Sequence, residues 1–231
     1  MEDKDFKKIE TIGTTLPFKA IIFDMDGTLL ESTEADYLAW QRIFERYNQH
    51  LDYEKYVTML GIRSMNVITD FLGFKRAEDV RRILIEKFDC FVEVVNEKPV
   101  VSVPFAGEFL KAVANSNLKV ALATSSRKEK MNLLLTNLSF IHYFDAIVTG
   151  EEVHKGKPEP DIFLLAAERL GIDPIDCVVV EDGPIGVTAA KKAGMKCIAI
   201  TATTPADRLH EADLVIESYE GVELSELLSR L

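Results

Sequence analysis

Three short clusters of oxygen-bearing side chains and one lysine hold the chemically useful groups of this 231-residue chain. Asp24-Met25-Asp26-Gly27-Thr28 follows the apolar run Ala20–Phe23, Thr124-Ser125-Ser126 follows Lys119–Ala123, and Glu181-Asp182-Gly183 follows Cys177–Val180. Lys157, in Gly156-Lys157-Pro158, precedes a helical stretch that begins near Asp161. If the three apolar runs are strands of one sheet, their carboxylates and hydroxyls meet at one edge. Converging carboxylates repel one another and lose hydration, so a stable site requires a cation. Ligands that are all oxygen suit a hard divalent ion, and Mg²⁺ fits because it keeps waters and shares its shell with phosphate. The hydroxyls of Thr124 and Ser125, the N–H groups behind them and the Lys157 ammonium then form an anion receptor. Metal beside anion receptor points to phosphoryl chemistry. Asp24 and Asp26, two residues apart, can divide the work: one binds metal and attacks phosphorus, the other protonates the leaving oxygen.

The elements that must position these groups are legible in the hydrophobic pattern. Short runs rich in Val, Ile and Ala recur at Ala20–Phe23, Lys119–Ala123, Ala146–Val148, Cys177–Val180, Lys196–Ile200 and Leu214–Ile216. Helical stretches at Lys128–Leu138, Asp161–Leu170 and Ile185–Ala193 alternate with them, and Gly171 and Gly194 stand where helices stop. This alternation predicts an α/β fold, an open parallel sheet of Rossmann-like kind with right-handed crossovers. Ligands of such sheets bind beyond the carboxyl ends of the strands, where the polar clusters lie.

One stretch breaks the pattern. Between Leu30 and about Val103 there is no strand signal, whereas Tyr37, Trp40, Phe44 and Tyr47 recur at helical spacing, as do Val80, Leu84, Phe88, Phe91 and Val95. We therefore expect a helical domain over 31–103, inserted into a core formed by 1–30 and 104–231. Pro99 and Pro104 favour an extended return crossing. The aromatic stripe, Trp40 included, is read as core packing and is assigned no ligand, and the second set marks another helix face.

Composition narrows the function classes. With 47% apolar and 28% charged residues the chain is an ordinary globular one, and at about 150 residues per domain its length allows one large domain or one with an insert. A net charge of −11 opposes non-specific attraction to nucleic acid or anionic membranes, so neither is an expected partner. Cys90, Cys177 and Cys197 have no C-x-x-C spacing and are read as small buried hydrophobes. The leader Met1–Pro17 carries no apolar signal core and no run approaches the length of a membrane span, so a cytoplasmic location is expected. A monomer or weak homo-oligomer is the expected state.

Competing motifs fail on spacing. An EF-hand beginning at Asp24 would need Gly at its sixth and Glu at its twelfth position, but Gly27 is fourth and residue 35 is Ala. A Walker A loop through Gly150 and Gly156-Lys157 has five residues between its glycines, and Pro158 replaces the metal-binding Ser or Thr. Dinucleotide-binding and hydrolase-elbow signatures are missing, and the four histidines show no ligand spacing.

Taken in order, Phe23-Asp24-Met25-Asp26-Gly27-Thr28-Leu29, Thr124-Ser125-Ser126, Lys157-Pro158-Glu159-Pro160-Asp161 and Glu181-Asp182 with Gly186 and Ala193-Gly194-Met195 resemble the four motifs of haloacid dehalogenase-like phosphotransferases. The resemblance is to the branch with a helical cap after the first motif, and spans roughly Phe18 to Glu217. It implies a nucleophilic Asp24 that forms an aspartyl-phosphate, Asp26 as acid and then base, and phosphate contacts from Thr124 and Lys157, with Ser125 and Ser126 beside them. It also implies Mg²⁺ held by Asp24, the Asp26 backbone carbonyl and Asp182, with Glu181 assisting. Gly183 departs from the Ser that commonly follows the Glu-Asp pair.

Within the insert the match is partial. The core is similar to beta-phosphoglucomutases, yet Asp36 stands where their first cap helix has His, and Leu60-Gly61-Ile62-Arg63-Ser64 is less basic than their cap segment. Leu-Gly-Ile-Arg is more similar to hexose-phosphate phosphatases. Arg63 is the expected contact to the non-reacting end of a substrate, and Asp36 is expected to repel a distal phosphate if it faces the cleft. The sequence thus predicts a Mg²⁺-dependent phosphatase of a small phosphorylated metabolite, with a sugar phosphate favoured. A hexose phosphate mutase is the enzymatic alternative, and a phosphate-binding regulatory module the non-enzymatic one.

Overall fold

The computed structural model describes residues 16–231. The leader reading therefore falls largely outside the described residues. Six parallel strands, β1 (Ala20–Phe23), β2 (Lys119–Thr124), β3 (Ala146–Thr149), β4 (Cys177–Glu181), β5 (Lys196–Ile200) and β6 (Leu214–Ile216), form one sheet in the order β3-β2-β1-β4-β5-β6. All six occupy the expected apolar runs; β2, β3 and β4 each run one residue further, so Thr124 and Glu181 are the last residues of their strands. Because β1 lies between β2 and β4, the chain reverses its winding there, and the crevice beyond its carboxyl end is the ligand position of such sheets.

Strand alternation sorts the sheet into two unlike faces. Ile21, Phe23, Val120, Leu122, Val178, Val180, Ile198 and Ile200 point into one core, whereas Ala20, Ile22, Ala121, Ala123, Cys177, Val179, Cys197 and Ala199 point into the other. The second face is built mainly of small residues, and it receives α7 (Asp161–Leu170) and α8 (Pro184–Lys192) through Phe163, Ala166, Ala189 and Ala190. Both helices stop at a glycine with positive φ, Gly171 at +67° and Gly194 at +74°. The three cysteines are free and buried, and burial pushes the Cys177 thiol up to about 11, which leaves it inert.

Between β1 and β2 lie only helices: α1 (Thr33–Arg46), α2 (Tyr53–Val57), α3 (Ser64–Asp70), α4 (Ala77–Glu97) and then α5 (Ala106–Ala114). Of these, α2 and α3 are too short to stand out in the sequence, whereas α5, with Ala106, Phe109, Leu110 and Val113 at helical spacing, is a legible helix outside the expected set. The outgoing and returning segments pair with each other: Glu31 N–H donates to the Val101 carbonyl and Val103 N–H to the Leu29 carbonyl, each at 2.9 Å. This short antiparallel contact is what joins the helical insert to the sheet. The stripe on α1 packs through Phe44 and Trp40, which are buried with their rings edge to face, and Trp40 lines the cleft as well. On α4 the expected stripe divides, because Phe91 and Val95 are buried while Leu84 and Phe88 line the cleft. The remaining helices, α6 (Lys128–Asn137) and α9 (Leu224–Ser229), follow β2 and β6. Among the described residues no helix is long and apolar enough to cross a membrane.

Phe163 couples this packing to the crevice, since its ring is fully buried and lies 4.9 Å below the Lys157 ammonium. Phe163→Ala should cost about 3–5 kcal/mol of stability in urea unfolding. A loss below about 1 kcal/mol would show that the ring is not part of the close packing.

Candidate active site

Strand register builds the centre of the site. Phe23 is paired with Leu122 on one side and Val180 on the other, and the Asp24 N–H continues the ladder to the Val180 carbonyl at 2.9 Å. One residue further, Asp24 and Glu181 emerge side by side. Lys157 reaches between them from the loop before α7, with its Nζ 2.5 Å from Asp24 Oδ1 and 2.6 Å from Glu181 Oε1. All three side chains are buried. The second oxygen of Glu181 accepts the N–H groups of Asp182 and Gly183, each at 2.8 Å. This arrangement explains Gly186 one turn into α8, where a Cβ would come within 1.7 Å of Glu181 Oε1. Asp182 accepts the Thr28 hydroxyl at 3.0 Å and that of Thr203 on its other oxygen.

Three buried carboxylates thus face a single ammonium. Burial holds the Asp24 carboxyl well above its usual range, opposed by Lys157 and reinforced by Glu181, Asp182 and Asp26. Burial, then the Glu181 charge, raises Asp182 to about 7 despite the hydroxyls that hydrogen-bond to it. Three carboxylates against one ammonium leave the site two positive charges short, and the available donors are all oxygen. Among the described residues no three acidic, histidine or cysteine side chains form a ready-made metal cage. A cation here would therefore draw on one or two carboxylates and on oxygens from water, backbone or ligand, which is how Mg²⁺ is usually held.

Asp26 lies across the cleft from this triad in a different environment. Its Oδ1 accepts Ser32 Oγ and lies 2.7 Å from Lys130 Nζ, and its Oδ2 accepts Ser126 Oγ at 2.6 Å and Thr124 Oγ1 at 3.5 Å. Although burial works the other way, the Lys130 charge and these hydrogen bonds hold Asp26 below its ordinary value. Ser125 lines the same cleft, and its buried Oγ has no hydrogen-bond partner among the described residues. The structure therefore brings together Asp24, Asp26, Thr124, Ser125, Ser126, Lys157, Glu181 and Asp182, all named from the sequence.

Arg63 is the exception. Its guanidinium turns away from the cleft to the loop after β3, donating to the carbonyls of Val153 at 2.8 Å, His154 at 2.9 Å and Gly150 at 3.3 Å. Three carbonyl acceptors at one short loop hold the guanidinium, so in this structure Arg63 ties the helical insert to the core and is not among the residues that line the cleft. The expectation for Asp36 also needs correction. It faces the cleft, but its Oδ1 is paired with Lys87 and, at 3.1 Å, with Lys130, while Oδ2 accepts the Tyr56 hydroxyl at 3.3 Å. The two lysines hold Asp36 far below its ordinary value, so its charge is neutralised. Sequence reasoning missed Lys87 and Lys130. Lys130 sits in Lys128-Glu129-Lys130, which reads as a solvated helix face, yet it is only 8% exposed.

The Arg63 geometry predicts that Arg63→Ala loosens the insert on the core and raises KM for a sugar phosphate and for p-nitrophenyl phosphate by similar factors. An effect confined to the sugar phosphate would return Arg63 to the substrate.

The same chain order and geometry recur in known proteins. The haloacid dehalogenase-like hydrolase family profile matches residues 21–200. The beta-phosphoglucomutase of Bacillus subtilis is 33% identical over 213 residues, covering 89% of this chain and 92% of its own. A phosphorylated carbohydrates phosphatase of Thermotoga maritima is 34% identical over 185 residues, covering 78% and 83%. Among solved structures, a beta-phosphoglucomutase from Clostridium difficile superimposes with a TM-score of 0.82 at 26% identity, covering 92% of this chain and 96% of its own. With an acidic crevice at the reversal of a parallel sheet and a profile match over more than three quarters of its length, the chain is an enzyme and belongs to the haloacid dehalogenase-like hydrolases.

Proposed function

We propose that this enzyme is a Mg²⁺-dependent phosphatase that hydrolyses a small phosphorylated metabolite, a sugar phosphate, through an aspartyl-phosphate on Asp24. The observation that carries the reading is the contrast between two carboxylates across one cleft. Asp24 is held at one oxygen by Lys157 beside a charge-deficient acidic cluster, whereas Asp26 is fully hydrogen-bonded and ionised. Groups whose surroundings drive their protonation apart are suited to different tasks.

On this reading Asp26, ionised before substrate enters, takes a proton from solvent when the phosphate dianion binds beside it. Asp24 then attacks the phosphorus of the monoester, and Asp26 passes that proton to the departing alkoxide. Asp26 then takes a proton from the water that hydrolyses the acyl phosphate. The Ser125 hydroxyl, without a hydrogen-bond partner among the described residues, and the Thr124 hydroxyl receive phosphoryl oxygens, and Lys157 offsets charge on both the nucleophile and the transferring group. Asp24, Asp182 and the Asp26 backbone carbonyl would hold Mg²⁺, with Glu181 assisting. When bound it supplies the missing positive charge and offsets the phosphate's own. The domain division follows the same reading: 31–103 is a cap, pinned through Arg63 and the paired crossing segments, over a core of 1–30 and 104–231.

Charge at the cap side favours hydrolysis over mutase chemistry. A mutase must hold a second phosphate, yet among the described residues every cation near the cleft is already engaged. Lys87 and Lys130 are paired with Asp36 and Asp26, Arg63 with carbonyls, and Arg127 with Glu129 and Glu151. The remainder of the cap wall is uncharged: apolar and aromatic residues such as Trp40, Tyr56, Met59 and Phe88, with the hydroxyl-bearing Ser32, Thr33 and Ser64 among them. Similarity to beta-phosphoglucomutases keeps the mutase reading as the alternative to be tested. With beta-glucose 1-phosphate and a trace of glucose 1,6-bisphosphate, free phosphate should accumulate faster than glucose 6-phosphate. Isomer formation well ahead of phosphate release would overturn the phosphatase reading.

Two further outcomes follow. Asp24→Asn should lower turnover by several orders of magnitude with the fold intact by circular dichroism; retention of more than about a tenth of the rate would remove Asp24 from the nucleophile role. The acidic cluster also links stability to pH. Because Asp182 is raised from its ordinary 3.8 to about 7, the folded state binds the extra proton between those values, and metal-free stability should fall as pH rises through that window. Mg²⁺ should accordingly raise Tm more at pH 8 than at pH 5. Equal shifts at the two pH values would count against metal binding by this cluster.

A further inference from the structure

Four charged side chains form a continuous bridge from the helical insert to Asp26. Lys87 on α4 pairs with Asp36 on α1, Asp36 lies 3.1 Å from Lys130 on α6, and Lys130 lies 2.7 Å from Asp26. The two lysines are 6% and 8% exposed, and both ammonium groups lie about 5 Å above the ring of Phe91, Lys87 at 5.0 Å and Lys130 at 4.9 Å. Two positive and two negative charges make the bridge neutral, which is the condition under which buried charges persist. It spans two parts of the fold: Asp26 and Lys130 belong to the sheet side, Asp36 and Lys87 to the insert. Lys130 is the one link shared by both carboxylates.

We propose that Lys130 is a positioning residue for the reaction, fixing the Asp26 carboxylate through an ion bridge completed only when Asp36 and Lys87 of the insert are seated against the core. This inference rests on the assignment of Asp26 as acid and base. Ser32, Ser126 and Thr124 each supply Asp26 with a hydroxyl, but a hydroxyl can rotate away. The ammonium is held at a second point by Asp36, so it fixes the position of Asp26 Oδ1. The bridge also makes Asp26 sensitive to the insert: lifting α1 and α4 would remove the partner that anchors Lys130. Lys130 touches neither metal nor transferring phosphoryl group in this role. It acts through Asp26 alone, and that restriction is what makes it testable.

The test is a set of variants assayed on an alkyl phosphate, which needs its leaving oxygen protonated, and on p-nitrophenyl phosphate, which does not. Asp26→Asn should lose at least tenfold more kcat on the alkyl substrate than on the aryl one. Lys130→Met should show the same leaving-group dependence, Lys130→Arg should restore part of it, and Lys130→Met placed on Asp26→Asn should cost less than twofold more. If Asp26→Asn itself loses both substrates equally, the acid assignment falls and the proposal with it. If Asp26→Asn discriminates but Lys130→Met does not, or the two losses multiply, the proposal alone is overturned. Should Lys130→Met fail to fold, Asp36→Asn with Lys87→Met removes one charge of each sign from the far end of the bridge. That double variant should still lower kcat more on the alkyl phosphate than on the aryl one, and equal losses would overturn the proposal.

Discussion

The contact on which the site depends is that of Lys157 with Asp24 and Glu181. Two strand-terminal carboxylates emerge side by side because β1 and β4 are adjacent in register, and Lys157 places an ammonium between them in a position where buried charge must be paired. Lys157 is brought there from the opposite half of the sheet, by the loop between β3 and α7. Phe163, one turn into α7, supports it from below, and Gly186 leaves room for the Glu181 carboxylate at the start of α8. The identity of residues on two helices is therefore set by one ion triad at the sheet edge.

Lys157 neutralises only part of the charge. Asp182 remains raised to about 7, and Asp24 is held high by the same burial. Replacing these acids with apolar residues would remove that strain, so the arrangement is costly as structure and makes sense as a place for a divalent cation and an anionic ligand. Across the cleft the opposite solution holds: Asp26 has an ammonium and hydroxyl donors, which favour its ionised form before a ligand binds. One sheet edge thus contains a carboxylate whose charge is penalised and another whose charge is satisfied.

How much of this could be read from the sequence depended on how local each signal was. The strands were legible because they are short Val, Ile and Ala runs buried on both faces, and the glycines after α7 and α8 marked their ends. Asp24, Asp26, Glu181 and Asp182 were legible because they directly follow such runs, and Lys157 because it lies in an ordered set of motifs. Residues whose role comes from tertiary contact were not. Lys130 and Lys87 look like ordinary helix-surface lysines, and only the packing of α4 and α6 around Phe91 buries them. The position of Arg63 was hidden for the complementary reason: the sequence showed a cation near the cleft but not the three carbonyls of a distant loop that hold it. The α4 stripe was half right because a helix between a core and a cleft uses one apolar face for both.

The engaged cations also bear on recognition. On the proposed reading, the phosphate end of a substrate meets the Thr124 and Ser125 hydroxyls and the charges around Asp24, where each interaction is strong. The other end meets neutral surfaces, Trp40, Tyr56, Met59 and Phe88, together with a charge bridge that is already balanced. An apolar wall distinguishes ligands that differ by one methylene by only about 1–3 kcal/mol. A buried unpaired cation would discriminate more sharply, because it would demand a matching anion. Binding energy is then concentrated on the group that reacts, and the alcohol portion is read mainly by shape. Such a cleft favours uncharged alcohols of suitable size over any one sugar, and it disfavours a second phosphate, which would have to compete with Asp26 and Asp36 for Lys130.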